Sequence, residues 1–295
     1  MLNAASRIHP LSHNLQSMPG LPTISVVVNT LNEEHHIANA LGSVKTWADE
    51  IIVVDQHSDD RTVEIAKSFR AKVFEHDRTG YVEPVRQFAI EKATSDWILI
   101  LDADEQVPKA LSLQLISHTQ NPRSDILLLP RENYICGRLM EGSGWAANDD
   151  YQMRFFKRGS VVTTPEIHRG MHPEPGASTS KLDYRKGEAL LHFNYVDVSD
   201  FLERLNRYTT AEAAKISNPP SKIRSVRRAW RQFRTRYFKE GGRREGWQGF
   251  YLSLMMSFYS LAIDAKAHEK IANTGADSVQ AQYDWAAARV ISEYD

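Results

Sequence analysis

Ile98-Leu99-Ile100-Leu101-Asp102-Ala103-Asp104-Glu105 decides how the rest of the chain is read. The apolar run begins at Trp97 and shows no polar alternation, so it predicts a strand buried on both faces. It then stops on acidic residues. Two other runs behave the same way. Ile24-Ser25-Val26-Val27-Val28 leads to Asn32-Glu33-Glu34, and Ile51-Ile52-Val53-Val54 leads to Asp55-Gln56-His57-Ser58. Helical patterns lie between them, first through Ile37, Ala40, Leu41 and Val44, then through Val63, Ile65, Ala66 and Phe69. Ser58 and Asp60 are candidate caps for the second helix. Residues 71–74 predict a third strand, 83–93 a helix, Pro108 the opening of another helix, and 126–129 a fifth strand. Strands of this kind separated by helices predict an α/β fold, a Rossmann-like and mainly parallel sheet flanked by helices. Such sheets take ligands at the carboxyl ends of their strands, where this chain places its acids.

The 295 residues suffice for one large domain or two modest ones. A hydrophobic share of 42% and a charged share of 25% exclude a wholly disordered chain. The single cysteine, Cys136, excludes an internal disulfide and a four-cysteine zinc site, and reads as a small apolar filler. A mean hydropathy of -0.45 argues against a polytopic membrane protein. Residues 1–22 lack an apolar core and predict a flexible leader rather than a signal peptide, hence a cytoplasmic protein. The sequence has no G-x-G-x-x-G after the first strand, no phosphate-loop G-x-x-x-x-G-K-[ST] and no G-x-S-x-G elbow. Dinucleotide oxidoreductases, P-loop NTPases and α/β-hydrolases are therefore disfavoured.

Two carboxylates at i and i+2 in a turn, Asp102 and Asp104, can converge on one hard divalent cation, Mg²⁺ or Mn²⁺. A solvated acidic turn is the plain alternative. Here the residues reach a family. The order and spacing of 26–34, 51–62 and 98–105 resemble a family 2 glycosyltransferase of GT-A fold, over about residues 23–195. Within that family, Asp150-Tyr151-Gln152-Met153-Arg154-Phe155-Phe156, His192-Phe193-Asn194-Tyr195 and Asn206-Arg207-Tyr208-Thr209 resemble the lipopolysaccharide-core glucosyltransferase branch.

The resemblance implies a nucleotide-diphosphate sugar as donor and a glycan or glycolipid as acceptor. It implies that Thr30 and Leu31 line the nucleotide base, with Glu33 near base or ribose and Asp55 hydrogen-bonded to the base. Asp102 would approach ribose or sugar, Asp104 would ligate the metal, and Gln106 matches a position that reaches it. Arg86 matches an arginine that faces the nucleotide sugar; pairing with a surface carboxylate is its plain alternative. Two departures bear on nucleotide identity: the usual second-motif D-G-S reads Gln56-His57-Ser58, and the usual aromatic beside Asn32 is Leu31. Glu34 and Asp60 read more simply as a first-turn acid and a helix cap.

Inverting transfer needs a carboxylate to take the acceptor hydroxyl's proton. Asp150 is the expected base and Asp149 the second candidate; a loop carboxylate is the alternative. His168 and His172 stand four apart, but Pro165, Gly170 and Pro173 exclude a helical zinc pair. An acceptor or metal contact from these two, or a structural role, stays open. His192 follows Leu190-Leu191 and reads equally as a core histidine.

The last third is different. Residues 222–244 hold Lys222, Arg224, Arg227, Arg228, Arg231, Arg234, Arg236, Lys239, Arg243 and Arg244 against Glu240 alone. Val226, Trp230, Phe233 and Tyr237 recur between them at helical spacing. The combination predicts an amphipathic helix on an anionic membrane surface, with Arg227, Trp230, Arg231, Phe233 and Arg234 at the contact. A solvated helix packed on the catalytic domain is the alternative, and no nucleic-acid module is recognised. Residues 250–263 are apolar but too short to span a bilayer. The expected organisation is a leader at 1–22, a catalytic domain at 23–197, a membrane-associating helical extension at 198–268 and a tail at 269–295. The expected protein is a metal-dependent inverting glycosyltransferase, peripheral on the inner face of the cytoplasmic membrane. A sugar-phosphate nucleotidyltransferase and a non-catalytic glycan-binding protein are the competing readings.

Overall fold

The computed structural model describes residues 20–79, 83–164, 170–272 and 276–294. Among these the chain forms two compact units. One takes in the chain up to Arg131 together with Tyr151–His192; the other takes in Glu132–Asp150 and the chain from Phe193 on. The sequence reading kept 23–197 together, whereas the structure assigns the middle segment 132–150 to the unit that carries the C-terminal helices.

The first unit contains β1 (Ile24–Thr30), α1 (Ile37–Val44), β2 (Glu50–Asp55), α2 (Thr62–Ser68), β3 (Lys72–Glu75), α3 (Glu83–Glu91), β4 (Trp97–Asp102), β5 (Glu105–Gln106) and α4 (Lys109–Gln120). β6 (Ile126–Ile135) follows and runs on into the second unit, where β7 (Arg138–Leu139) lies. The chain then returns with β8 (Tyr151–Lys157), β9 (Val161–Thr163), β10 (Met171–Pro173), β11 (Thr179–Lys181) and β12 (Leu190–Phe193).

Strand order in the main run is β3-β2-β1-β4-β8-β6. β1 pairs in parallel with β2 and β4, and β2 with β3. β8 is antiparallel to both β4 and β6, so it alone is reversed in this run. Both faces are covered, as the unbroken apolar runs require. Val26, Val28, Leu99 and Leu101 point into one core with Ile37, Leu41 and Val44 of α1 and Leu111 and Leu115 of α4. Val27, Ile98 and Ile100 point into the other, with Val85 and Ala89 of α3 and with Phe156. Each fully buried Leu or Ile contributes roughly 1.5–3 kcal/mol over leaving it exposed. Pro108 sits at the N-terminal cap of α4, one residue before the helix.

In the second unit, β6 and β7 form a hairpin that pairs Tyr134 with Leu139 and Ile135 with Arg138. Its two turn residues, Cys136 and Gly137, both have positive φ (49° and 74°), the requirement of a tight two-residue turn that follows strand twist. Cys136 is thus a turn residue as well as a filler, and its Sγ accepts from Tyr251 Oη at 3.4 Å. Among the described residues four helices follow: α5 (Val198–Ala214), α6 (Lys222–Arg234), α7 (Gly246–Ile271) and α8 (Ala276–Ile291). Asp197 caps α5 by accepting from Asp200 N at 2.8 Å. Of the expected tail at 269–295, the described residues are helical to Ile271 and again along α8. A π-helical turn, Thr235–Lys239, extends α6, and a short 3₁₀ turn leads into α7. Gly249 is required at that join, because a Cβ there would stand 2.0 Å from Gly242 O. None of the described helices is long and apolar enough to cross a membrane.

Candidate functional site

The loops after β1 and β2 are stitched to each other, which fixes the carboxyl ends of both strands. Thr30 Oγ1 donates to Asp55 Oδ1 at 2.9 Å. Ser58 donates to the same carboxylate twice, N to Oδ2 at 2.8 Å and Oγ to Oδ1 at 2.6 Å. Ser58 Oγ in turn accepts from Asn32 N at 2.8 Å, and Asn32 Oδ1 accepts from Asp59 N at 2.8 Å. Further along, Asp60 accepts from Glu34 N at 3.0 Å and from Thr62 N at 2.9 Å, while Thr62 Oγ1 accepts from Glu33 N at 2.7 Å. Burial alone would raise the Asp60 pKa, but these donors hold it below the ordinary aspartate value. The N-cap position of α2 is Arg61, with no side-chain cap bond, so Asp60, expected as the cap, instead stands one residue earlier and ties the start of the helix through Thr62 N to the loop after β1 through Glu34 N. Ser58 is not the cap either, because its hydroxyl is spent on Asp55.

Two residues in these loops, Asn32 (φ 57°) and His57 (φ 56°), hold left-handed backbone. His57 occupies the position where the resemblance expects glycine, the residue for which such a φ carries no steric penalty. Asp55 is 1% exposed and Thr30 2%. Both act from inside the loop framework, whereas Leu31 and Glu33 are partly open to solvent. Beside them on β1, Asn29 is buried, and among the described residues neither of its side-chain polar atoms has a hydrogen-bond partner. Such an orphaned amide is rare in a folded interior and marks a place where a ligand atom would be satisfied. Its register partner on β4 is Asp102.

Asp102 lies under three arginines. Arg154 of β8 makes a bidentate pair with it, and Arg86 Nη2 of α3 reaches Oδ1 at 3.3 Å. Glu105, fully buried, accepts from Arg154 and from Arg131 of β6, each at 3.1 Å, and from Asp102 N at 3.0 Å. Burial pushes Asp102 up, but Arg154 foremost, then Arg86 and Arg131, hold it well below the usual carboxylate range. Burial likewise disfavours the charge on Arg154, and Asp102 and Glu105 more than restore it. Removing one partner of such a buried network leaves an uncompensated charge, at about 3–5 kcal/mol.

Asp104 is the turn's other carboxylate. Its Oδ2 faces His192 Nε2 of β12 at 3.5 Å, with side-chain exposures of 16% and 9%. β5 and β12 are antiparallel, with His192 opposite Glu105 and Leu191 opposite Gln106. Strand alternation places Gln106 away from the buried face that Glu105 occupies. His172 is exposed on the β9–β10 ribbon, paired in register with Val162. His168 lies outside the described residues. Among the described residues no group of three or more His, Cys, Asp and Glu is arranged to hold a metal by itself.

In the second unit, Asp149 and Asp150 close the loop before β8, their backbone N–H groups donating to Ala146 O at 2.8 and 3.0 Å. Asp150 Oδ2 accepts from the buried Asn133 Nδ2 at 2.7 Å, which fixes one oxygen of the carboxylate. Asp149 is exposed.

A family model described as Glycosyl transferase family 2 matches residues 25–179, more than half of the chain. The chain belongs to that family. An uncharacterized glycosyltransferase of Rickettsia bellii is 30% identical over 261 residues, covering 83% of this chain and 86% of its own. The lipopolysaccharide core biosynthesis glycosyltransferase LpsC of Rhizobium meliloti is 24% identical over 265 residues, covering 86% and 94%. Among solved structures, S. aureus TarS in complex with UDP aligns at a TM-score of 0.46 with 17% identity, over 85% of this chain and 92% of that one. Membership makes this protein a glycosyltransferase with a GT-A fold. It disposes of the nucleotidyltransferase and the non-catalytic alternatives.

For this glycosyltransferase the sequence singled out Asp102, Asp104, Arg86 and the loop residues, and the structure gathers Arg86, Asp102 and Asp104 at the end of β4. Sequence reasoning missed Arg131, Arg154 and Asn29, and it left His192 open. Arg154 stood inside a quoted motif, but its contact with Asp102 spans 52 residues and no local pattern encodes it. Arg86, weighed against a surface pair, is 8% exposed and pairs with the acidic motif itself.

Proposed function

We propose that this glycosyltransferase moves a sugar, with inversion, from a nucleotide-diphosphate sugar to a hydroxyl of a glycan or glycolipid acceptor. The pathway we assign is lipopolysaccharide or related surface-polysaccharide synthesis at the inner face of the cytoplasmic membrane, supported by the kinship with LpsC. The observation that carries the donor reading is the pair of Asp104 Oδ2 and His192 Nε2 at 3.5 Å, beside an Asp102 already neutralised by arginines.

A divalent cation, Mg²⁺ or Mn²⁺, fits this donor set. One carboxylate and one imidazole are too few to hold it alone, and diphosphate oxygens of a bound donor complete such shells. Asp104 and His192 would hold it, with Gln106 two residues beyond Asp104. When bound, the cation offsets the charge that grows on the departing nucleotide diphosphate. Asp102, kept ionised by Arg154 and Arg86, accepts hydrogen bonds from ribose or sugar hydroxyls. Leu31 and Glu33 supply the open rim for the base, and Thr30 and Asp55 keep that rim in place. Asn29 offers its unpaired amide to the donor. Asp150, oriented by Asn133, takes the proton from the acceptor hydroxyl as it attacks the anomeric carbon. Asp149 is the second candidate for that role. His172 and His168 are candidates for acceptor or metal contact.

Release of nucleotide diphosphate from a panel of nucleotide sugars, with Mn²⁺ and an acceptor extract, tests the reading. Asp104→Ala and His192→Ala should each lower kcat/KM on the order of 100-fold or more at unchanged thermal midpoint. Asp150→Asn should retain thermal stabilisation by donor while losing transfer by roughly 10²–10⁴-fold. Full turnover by Asp104→Ala would overturn the metal role, and near-normal transfer by Asp150→Asn would reject the base.

A further inference from the structure

Helices α6 and α7 of the second unit sort their residues in the reverse of the usual order. The buried face of α6 is Ser225 and Ala229, and much of that of α7 is Gly249, Ser253, Ser257, Ser260 and Ala267. Leu252 and Ile263 of α7 are buried with them, but other large apolar side chains point out. On α6, Ile223, Val226 and Trp230 are exposed, Trp230 by 60%; on α7, Trp247, Leu254 and Phe258 are exposed, by 76%, 42% and 50%. These positions recur at steps of three, four or seven residues, so each set lies along one helix face.

The two faces are continuous. Trp230 stacks on Phe233 at 5.9 Å, Phe233 meets Phe250 edge-on at 6.0 Å, and Phe250 meets Trp247 at 5.4 Å. Tyr237 and Phe238 of the π-helical turn join the same cluster.

The basic residues divide into two groups. Arg228 turns inward to Asp264 and to Ser260 O, and Arg236 donates to Ser143 O and stacks on Trp145. These two serve packing within the second unit. Arg224, Arg227, Arg231 and Arg234 stay exposed beside the aromatic stripe, and Lys239, Arg243 and Arg244 continue the charge past it.

Small and hydroxyl-bearing residues inside, with aromatic rings outside and guanidinium groups along the margin, is the arrangement expected when the outer solvent is lipid. Indole rings favour the boundary between headgroups and acyl chains, and arginine favours phosphate oxygens. We infer that the outward faces of α6 and α7 form one monotopic surface that lies in the headgroup layer of an anionic bilayer. Segment 250–263 then neither spans nor is fully packed away: one face seals the second unit and the other meets lipid. The inference deepens the acceptor reading above, and rests on it only for placing a lipid-borne acceptor within reach of the enzyme.

Flotation of the full chain with phosphatidylcholine vesicles, with and without phosphatidylglycerol, tests it. Binding should require phosphatidylglycerol and weaken with added salt. Arg227→Gln with Arg231→Gln should lower partitioning roughly 25-fold, since each surface charge contributes about a fivefold factor. Trp230→Ser with Phe258→Ser should lower it at least about tenfold at unchanged thermal midpoint. If that pair fails to fold, quenching by brominated lipid in a Trp285→Phe background reads the same contact, and quenched fluorescence is expected. No flotation, flotation indifferent to phosphatidylglycerol, or a stable dimer that the aromatic substitutions dissociate would each overturn the inference. Nucleotide diphosphate release from soluble donor is measured on the same preparations. Retained release without flotation rejects the surface alone; flotation without release rejects the transfer reading alone.

Discussion

The strands of the first unit and the last helices of the second are built from similarly apolar stretches, yet they place them oppositely. Val26, Val28, Leu99 and Leu101 are all at 0% exposure, enclosed by helices on both sides of a sheet. On α7 the serines take the interior, and Trp247, Leu254 and Phe258 take the exterior. Hydrophobicity counted along the chain is blind to this difference, because it records how much apolar surface exists and not which way it faces. What separates the cases is where small residues fall. In β4 no small residue interrupts the run, so every side chain from Trp97 to Leu101 fills a core. In α7 they recur on one face, which allows close helix packing there beside the buried Leu252 and Ile263 and leaves Trp247, Leu254 and Phe258 on the opposite side.

Substitutions can break or sharpen that contrast. The largest expected effect is Leu99→Ala, a truncation in the closed core of the first unit, which should destabilise by about 2–5 kcal/mol in urea unfolding. A loss under 1 kcal/mol would mean that this core is looser than its burial indicates. Next comes Ser257→Leu, which adds bulk to the buried seam of α7 and should cost about 1–3 kcal/mol by the same measurement. If it stabilised the protein instead, the inverted packing would be wrong.

Asp60→Asn is the smallest, at about 1 kcal/mol near neutral pH, because it weakens the bonds from Glu34 N and Thr62 N that tie the two loops. It also carries a pH signature. The folded-state pKa of Asp60 is depressed, so its contribution is complete above the ordinary aspartate value of about 3.9 and disappears as pH falls through the lower folded value. The wild-type advantage over Asp60→Asn should therefore shrink only below about pH 4. An advantage that vanished between pH 5 and 7 would assign it to another group.

The same contrast explains what the sequence made legible. β1, β2 and β4 were readable because a buried parallel strand needs an unbroken apolar run, and the acids that end those runs were readable because ligands collect at strand ends. Arg131 and Arg154 were not readable, since their meaning lies in partners 26 and 49 residues away at Glu105. His192 carried the sequence of a core histidine, and only the β5–β12 pairing sets it against Asp104. Residues 132–150 gave no hint that they leave the sheet unit, because their partners, Glu240 O for Ser143 N among them, come about a hundred residues later. Arg228 and Arg236 were indistinguishable in sequence from the exposed arginines around them. The left-handed His57 was visible only as an odd substitution for glycine.

The position of β8 sets an order of events in time. It lies between β4 and β6, both of which leave the ribosome before it does. Until residues 151–157 are available, the long apolar β4 keeps an unpaired edge, the kind of template on which nascent chains aggregate. The strand that closes this edge is also the one that delivers Arg154 to Asp102 and Glu105. Protection of the newborn chain and assembly of its charged centre are therefore a single step, and a chain stalled before β8 has neither.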